Sequence, residues 1–137
     1  MQVQPYLNFN GRCEEALQFY SKRLGAKIEM MMRFKEMPGP QQPGMTAPPD
    51  KILHAAFHIG DTQLLASDAE CTGKPAFEGI ALAVTARDDA EAKRLFGALS
   101  EGGKVKQPLI PTFFSSSFGM VDDRFGVSWM VMAQKAA

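Results

Sequence analysis

The side chains best suited to chemistry in this chain are His54, His58, Ser67 and Asp68, followed by Cys13, Cys71 and the run Asp122-Asp123-Arg124. Histidine is the side-chain type suited to hydrogen bonding or acid–base work near neutral pH, which singles out His54. With Ser67 or Asp68 beside it, it would move a proton on a small carbonyl substrate. The alternative for each histidine is a satisfied structural role. A shared metal is a separate question. Four residues along a helix would bring His54 and His58 to one ion. Along a strand, at roughly 3.3 Å per residue, they lie about 13 Å apart, too far for a single ion. The β-type residues around them and the turn pair Gly60-Asp61 favour the strand.

Other chemistry fits poorly. Cys13 and Cys71 are too few for a disulfide framework and match no zinc spacing. Cys13 falls near a helix start, where the local dipole would favour a thiolate; a small packed residue is the competing reading. Ser115-Ser116-Ser117 lacks the glycine flanks of a nucleophile elbow. Gly102-Gly103 lacks the spacing of a phosphate or dinucleotide loop, which leaves little support for binding S-adenosylmethionine. Asp122 and Asp123 next to Arg124 read as a tight turn with an internal ion pair rather than as catalytic groups.

Apolar side chains are more suggestive. Nine methionines is a high count, and methionine adapts to irregular gaps and to varied apolar ligands. Met120 and Met130 are candidates for a ligand wall, with core packing as the alternative. Phe113, Phe114, Phe118, Phe125 and Trp129 cluster late in the chain. Phe125 and Trp129 read as core. For Phe113 and Phe114, core and ligand contact stay equally open.

The elements that would hold these residues repeat. Glu15-Ala16-Leu17-Gln18-Phe19-Tyr20 is echoed by Glu91-Ala92-Lys93-Arg94-Leu95-Phe96, and the strand-like Tyr6–Phe9 by Leu82–Thr85 at the same offset. Two sheet-forming halves with a cleft between them follow; chance likeness between two amphipathic helices is the alternative. The patterns predict strands over Val3–Phe9, Lys27–Phe34, Ile52–Ile59, Thr62–Ser67, Gly79–Ala86, Lys104–Gln107, Phe113–Val121 and Val127–Ala133. They predict helices over Arg12–Leu24 and after the Asp88/Glu91 capping box. The short strand from Lys104 is expected to stop at Pro108. Along Ile52–Ile59, Leu53, Ala55, Phe57 and Ile59 form an apolar face for a helix, while Ile52, His54, Ala56 and His58 look towards ligand or solvent. Prolines and glycines make 35–50 a long loop. The chain divides into module one (1–68), a joint (69–78) and module two (79–137) of a single domain.

The 137 residues carry fifteen basic and fifteen acidic side chains, so neither nucleic acid nor an anionic membrane is an expected partner. No apolar run approaches the roughly 18–20 residues of a membrane span. Met1–Pro5 lacks the regions of a signal peptide. A cytoplasmic location is expected by default.

The stretches Pro5-Tyr6-Leu7-Asn8-Phe9-Asn10-Gly11, Glu15-Ala16 with Phe19-Tyr20, His54-Ala55, Gly60-Asp61 and Ser67-Asp68 resemble the vicinal oxygen chelate superfamily, and within it the PhnB-like group. Thr112-Phe113-Phe114 and Phe118-Gly119-Met120-Val121-Asp122-Asp123-Arg124-Phe125-Gly126-Val127-Ser128-Trp129 carry the likeness most strongly, with Phe114 replacing the group's usual Trp. The resemblance implies an α+β fold: paired βαβββ modules forming a curved mixed sheet around a cleft, as in glyoxalase and bleomycin-resistance proteins. It also implies a homodimer. Metal-binding members place a His on the first strand of each module and a Glu on the last. Here Val3–Phe9 and Gly79–Ala86 contain no His, and Met130 stands at the Glu position, so no metal and no other cofactor is expected. The expected function is binding of a small, largely apolar molecule, with His54, Ser67, Phe113, Phe114, Met120 and Met130 as ligand contacts. The alternative is a superfamily enzyme (lyase, isomerase or transferase) using His54 and Asp68.

Overall fold

The computed structural model describes residues 1–37, 48–68 and 75–135. Cys71, the centre of the proline-rich loop and most of the expected joint lie outside these residues. The chain forms two compact units, Met1–Pro75 and Ala76–Ala137.

The first unit runs β1 (Tyr6–Asn8), α1 (Cys13–Leu24), β2 (Lys27–Arg33), β3 (Ile52–Ile59) and β4 (Thr62–Ser67). Its sheet has the order β1-β4-β3-β2, with β1 parallel to β4 and the remaining pairs antiparallel. Ala16, Leu17, Phe19 and Tyr20 recur at helical spacing and are buried. Tyr20 stacks on Phe57 of β3 at 6.2 Å between ring centroids, so α1 covers the sheet face that carries Phe57. Glu14 and Glu15 occupy the first turn and Lys22 and Arg23 the last, both matched to the helix dipole. Gly25 ends the helix in the left-handed region, at φ 72°.

The start of α1 is unusual. Arg12 occupies the cap position without capping a backbone N–H, and its guanidinium donates instead to the Glu15 carboxylate at 3.1 and 3.2 Å. The backbone N–H groups of Gly11 and Cys13 instead donate to Asp68 Oδ1, at 2.8 and 2.7 Å, and Ile52 N–H donates to Asp68 Oδ2 at 2.7 Å. A carboxylate distant in sequence thus meets the first orphan donor of the helix, Cys13 N–H, together with the Gly11 N–H before it, and ties them to the start of β3.

The second unit repeats the plan: β5 (Leu82–Ala86), α2 (Asp89–Ser100), β6 (Lys104–Ile110), β7 (Ser115–Asp122) and β8 (Ser128–Gln134). Its sheet order, β5-β8-β7-β6, is that of the first. The helices begin at Cys13 and Asp89 and end at Leu24 and Ser100, one offset at both ends, and Tyr6 and Leu82 open their strands at that offset too. Asp88 caps α2 by accepting from Glu91 N–H at 2.8 Å.

Several boundaries differ from the sequence expectations. β1 and β5 are shorter than predicted. β6 continues through Pro108 to Ile110, because it is an edge strand whose outward N–H positions need no partner. β7 starts at Ser115 rather than Phe113, because Thr112 Oγ1 accepts from the N–H groups of Phe114 and Ser115 and turns the chain there. After β7, Asp123 is buried and receives Phe125 N–H, Val127 N–H and Trp129 Nε1–H. Asp122 pairs with Lys106, and Arg124 Nε donates to the Glu101 carbonyl.

Candidate functional site

Residues paired directly across a sheet share a face, so the registers show which side chains stand together. In the first unit, Tyr6 pairs with Leu65, Leu65 with Ala56, Ala56 with Met30, and Met32 with His54. This is the face away from Phe57 and α1. Alternation adds His58 from β3, Asn8 from β1, and Gln63 and Ser67 from β4. Leu65 and His54 are half-buried, and Tyr6 is 45% exposed. The face is therefore open, apolar in its body and polar at defined points.

Two polar pairs stand on it. The Tyr6 hydroxyl lies 3.0 Å from His54 Nδ1, with ring centroids 5.7 Å apart. Ser67 Oγ–H donates to Asn8 Oδ1 at 3.0 Å. Ser67 follows Ala66, whose partner Ala55 follows His54, so the two pairs are neighbours. His58 meets Glu29, which also accepts from Gln63 Nε2 at 2.9 Å.

Asp68 leaves this face. It is 1% exposed and binds the three backbone N–H groups at the start of α1 and β3. The structure pairs His54 with Tyr6; of the two acid–base partners expected from sequence, Ser67 stays on this face and Asp68 does not. Cys13 is buried. Burial, then the charges of Asp68 and Glu14, push its thiol pKa far up, which removes the thiolate considered for it. A recess of about 370 Å³ near the start of α1 is bordered by Glu14, Arg33, Lys51 and Asp68. Its charges are matched internally. Arg33 makes a forked pair with Glu14 at 2.6 and 3.1 Å, and Lys51 donates to the Gly11 carbonyl at 2.7 Å. The Arg33 bond holds the Glu14 carboxyl below its usual range.

In the second unit, Trp129, Val131 and Ala133 of β8 are buried, whereas Met130 and Met132 between them are half-buried. A Cβ added to Gly119 would come within 2.7 Å of Phe96 on α2, so the Gly119 face is the helix side. Met120 pairs with Met130 and Phe118 with Met132 on the opposite side. Phe114 joins them edge to face with Phe118, at 5.4 Å between centroids. Phe113 touches Phe114 at 5.1 Å but is 90% exposed on the turn before β7. Of the expected contacts, His54 and Ser67 stand together in the first unit, and Phe114, Met120 and Met130 in the second. Sequence reasoning missed Tyr6 and Asn8, although they alternate with the buried Leu7, and it did not single out Met132, the partner of Phe118 from the aromatic cluster, as part of the open face.

Among the described residues, no group of three His, Cys, Asp or Glu side chains is arranged to hold a metal ion. No described helix is long and apolar enough to cross a membrane.

Two βαβββ modules, each with a four-stranded mixed sheet and one helix, define an α+β protein of the glyoxalase/bleomycin-resistance fold. A glyoxylase/bleomycin resistance protein/dioxygenase domain from Frankia sp. EAN1pec shares that fold, with a TM-score of 0.63 at 13% identity over 100% of this chain and 94% of that one. Within the fold, residues 1–132 match the 3-demethylubiquinone-9 3-methyltransferase family, and the chain belongs to this PhnB-like family. It is 35% identical over 142 residues to protein YjdN of Escherichia coli (strain K12), covering 98% of this chain and 97% of that protein. The crystal structure of protein PA1353 from Pseudomonas aeruginosa is similar throughout, with a TM-score of 0.84 and 42% identity over 99% of each chain.

Proposed function

We propose that this protein binds a small, largely apolar molecule against the open faces of its sheets, without a metal in the site. One observation carries the reading. In each unit the sheet face away from the helix stays half-exposed, yet it is built of large apolar side chains: Met30, Met32 and Leu65 in one, Phe114, Phe118, Met120, Met130 and Met132 in the other. Monomeric proteins seldom leave such surface without use. Polarizable thioethers and aromatic edges accept ligands of varied shape, and the few convergent polar groups supply orientation. The donor set supports the metal-free reading, because the strands β1 and β5 carry no histidine and β8 offers thioethers in place of a carboxylate. A homodimer, which the resemblance implies, is part of the proposal.

A panel of small apolar molecules screened by thermal shift tests it. A ligand present at 100 times its Kd adds roughly 2.7 kcal/mol of stability, and the double variant Leu65→Glu/Met130→Glu, which puts a charge on each open face, should abolish the response. Stabilisation that persists in the double variant, or no response across the panel, contradicts the reading.

A second reading has its own observation. The 3.0 Å contact between Tyr6 and His54 gives an imidazole a fixed partner on the open face, the arrangement a superfamily enzyme would use for proton transfer on a small carbonyl substrate. Turnover that is lost in His54→Gln but kept in Met130→Glu would favour it.

A further inference from the structure

We infer that Tyr6 is the positioning residue of a donor site centred on His54, and that this site takes an oxygen acceptor, a carbonyl or carboxylate, on the ligand. The ligand half of this inference rests on the function proposed above; the positioning half does not.

The geometry is specific. Tyr6 lies on β1 and His54 on β3, and β4 runs between them. Two strand spacings amount to roughly 9.6 Å. The phenol bridges that distance over β4 and ends 3.0 Å from Nδ1, with the rings tilted by 33°. A neutral phenol is a good O–H donor, and an unprotonated imidazole nitrogen is a good acceptor. We assign the bond from Tyr6 O–H to Nδ1; Nδ1–H donating to the phenol oxygen belongs to the opposite tautomer, and the NMR measurement decides between them. A nitrogen that accepts carries no proton, so the proton of the neutral ring sits on Nε2. Among the described residues, Nε2 has no partner. A half-buried N–H donor is thus held in one tautomer on an open face.

Its neighbours define what it would meet. Met32 stands directly opposite His54, Leu65 opposite Tyr6, and Met30 opposite Ala56. An apolar body would lie against these side chains and present an oxygen to Nε2–H. A ligand lacking that oxygen would leave the N–H without a partner as it desolvates the face, which costs affinity.

The test has two arms. In the first, the full chain carrying ¹⁵N-labelled histidine is observed by long-range nitrogen–proton NMR at pH 8, with Tyr6→Phe alongside. The expected result is that His54 of the unaltered protein is a single Nε2–H tautomer. In Tyr6→Phe, with the fold intact by circular dichroism, the two nitrogen shifts move towards each other as the ring relaxes to a mixture. A proton on Nδ1, or shifts that Tyr6→Phe leaves unchanged, overturns the positioning role. In the second arm, acetophenone and ethylbenzene, which share a skeleton and differ in one oxygen, are titrated into the same samples. One hydrogen bond of about 0.5–1.5 kcal/mol predicts that acetophenone binds roughly two- to tenfold more tightly. His54→Phe should erase that preference, and Tyr6→Phe should reduce it. Equal binding of the two probes overturns the acceptor site while leaving the apolar-ligand reading intact. Binding of neither overturns the ligand half and counts against the function proposed above, and the tautomer result still decides the role of Tyr6.

Discussion

Asp68 shows how one side chain changes meaning between sequence and structure. Beside Ser67 and near His54 it reads as an acid–base group, yet its two oxygens hold Gly11, Cys13 and Ile52 N–H. Nothing local in the sequence announces this, because a carboxylate that caps a helix usually stands next to it. Removing it leaves buried donors unsatisfied, at about 1–3 kcal/mol each. Asp68→Ala should therefore lose about 3 kcal/mol or more in urea unfolding. Asp68→Asn should recover only part of this, since an amide brings a single acceptor oxygen. A loss below about 1 kcal/mol for Asp68→Ala would show the carboxylate to be dispensable. Cys13 depends on the same surroundings. Burial first, then the charges of Asp68 and Glu14, keep its thiol protonated in the folded state. A raised folded pKa gives stability that is complete below the unfolded thiol pKa, about 8.5, and is lost progressively as pH rises above it. The native protein should resist alkylation at Cys13 at pH 8, by peptide mass spectrometry. Its stability should fall more steeply above that pH than that of Cys13→Ala.

The two helices solve one problem by different means. α2 starts on a local signal, Asp88 with Glu91, whereas α1 starts at Arg12 and borrows its cap from Asp68. Asp88→Ala should cost about 1 kcal/mol in thermal or urea unfolding, and Arg12→Ala much less; equal losses would show that α1 relies on its own first residue after all. Gly119 tests the packing of α2 on its sheet. A methyl group there would meet Phe96 at 2.7 Å and the Gln107 carbonyl at 3.1 Å, so Gly119→Ala should destabilise by roughly 1–3 kcal/mol. At this level the sequence was largely legible. Both helices and the strands β3 and β4 were visible in periodicity and turn residues, because each is fixed by its own apolar pattern. The misjudged ends have physical causes outside the local pattern. Pro108 is compatible with β6 only because that strand lies at an edge, and Phe113 falls on a turn because Thr112 Oγ1 captures the next two amides.

For the whole molecule, the repeated strand-and-helix pattern revealed two βαβββ units because burying one helix on one four-stranded sheet imposes the same spacing twice. It could not reveal which residues share the open faces. That depends on register, and register is set by pairings such as Tyr6 with Leu65, parallel and distant in the chain. Those faces also bear on assembly. Ile110 and Phe114 are 45% and 49% exposed beside the half-buried Met120, Met130 and Met132, and a chain of 15.0 kDa with fifteen charges of each sign has no net repulsion to keep copies apart. Light scattering after gel filtration at micromolar concentration should give twice the chain mass. The melting temperature should rise with protein concentration, as mass action requires of a dimer that is more stable than its subunits. Ile110→Lys would place a charge among these apolar side chains and should shift the population towards monomer. A monomer at every concentration tested would remove the homodimer from the proposal. The binding prediction at Leu65 and Met130 would then have to hold on a single chain.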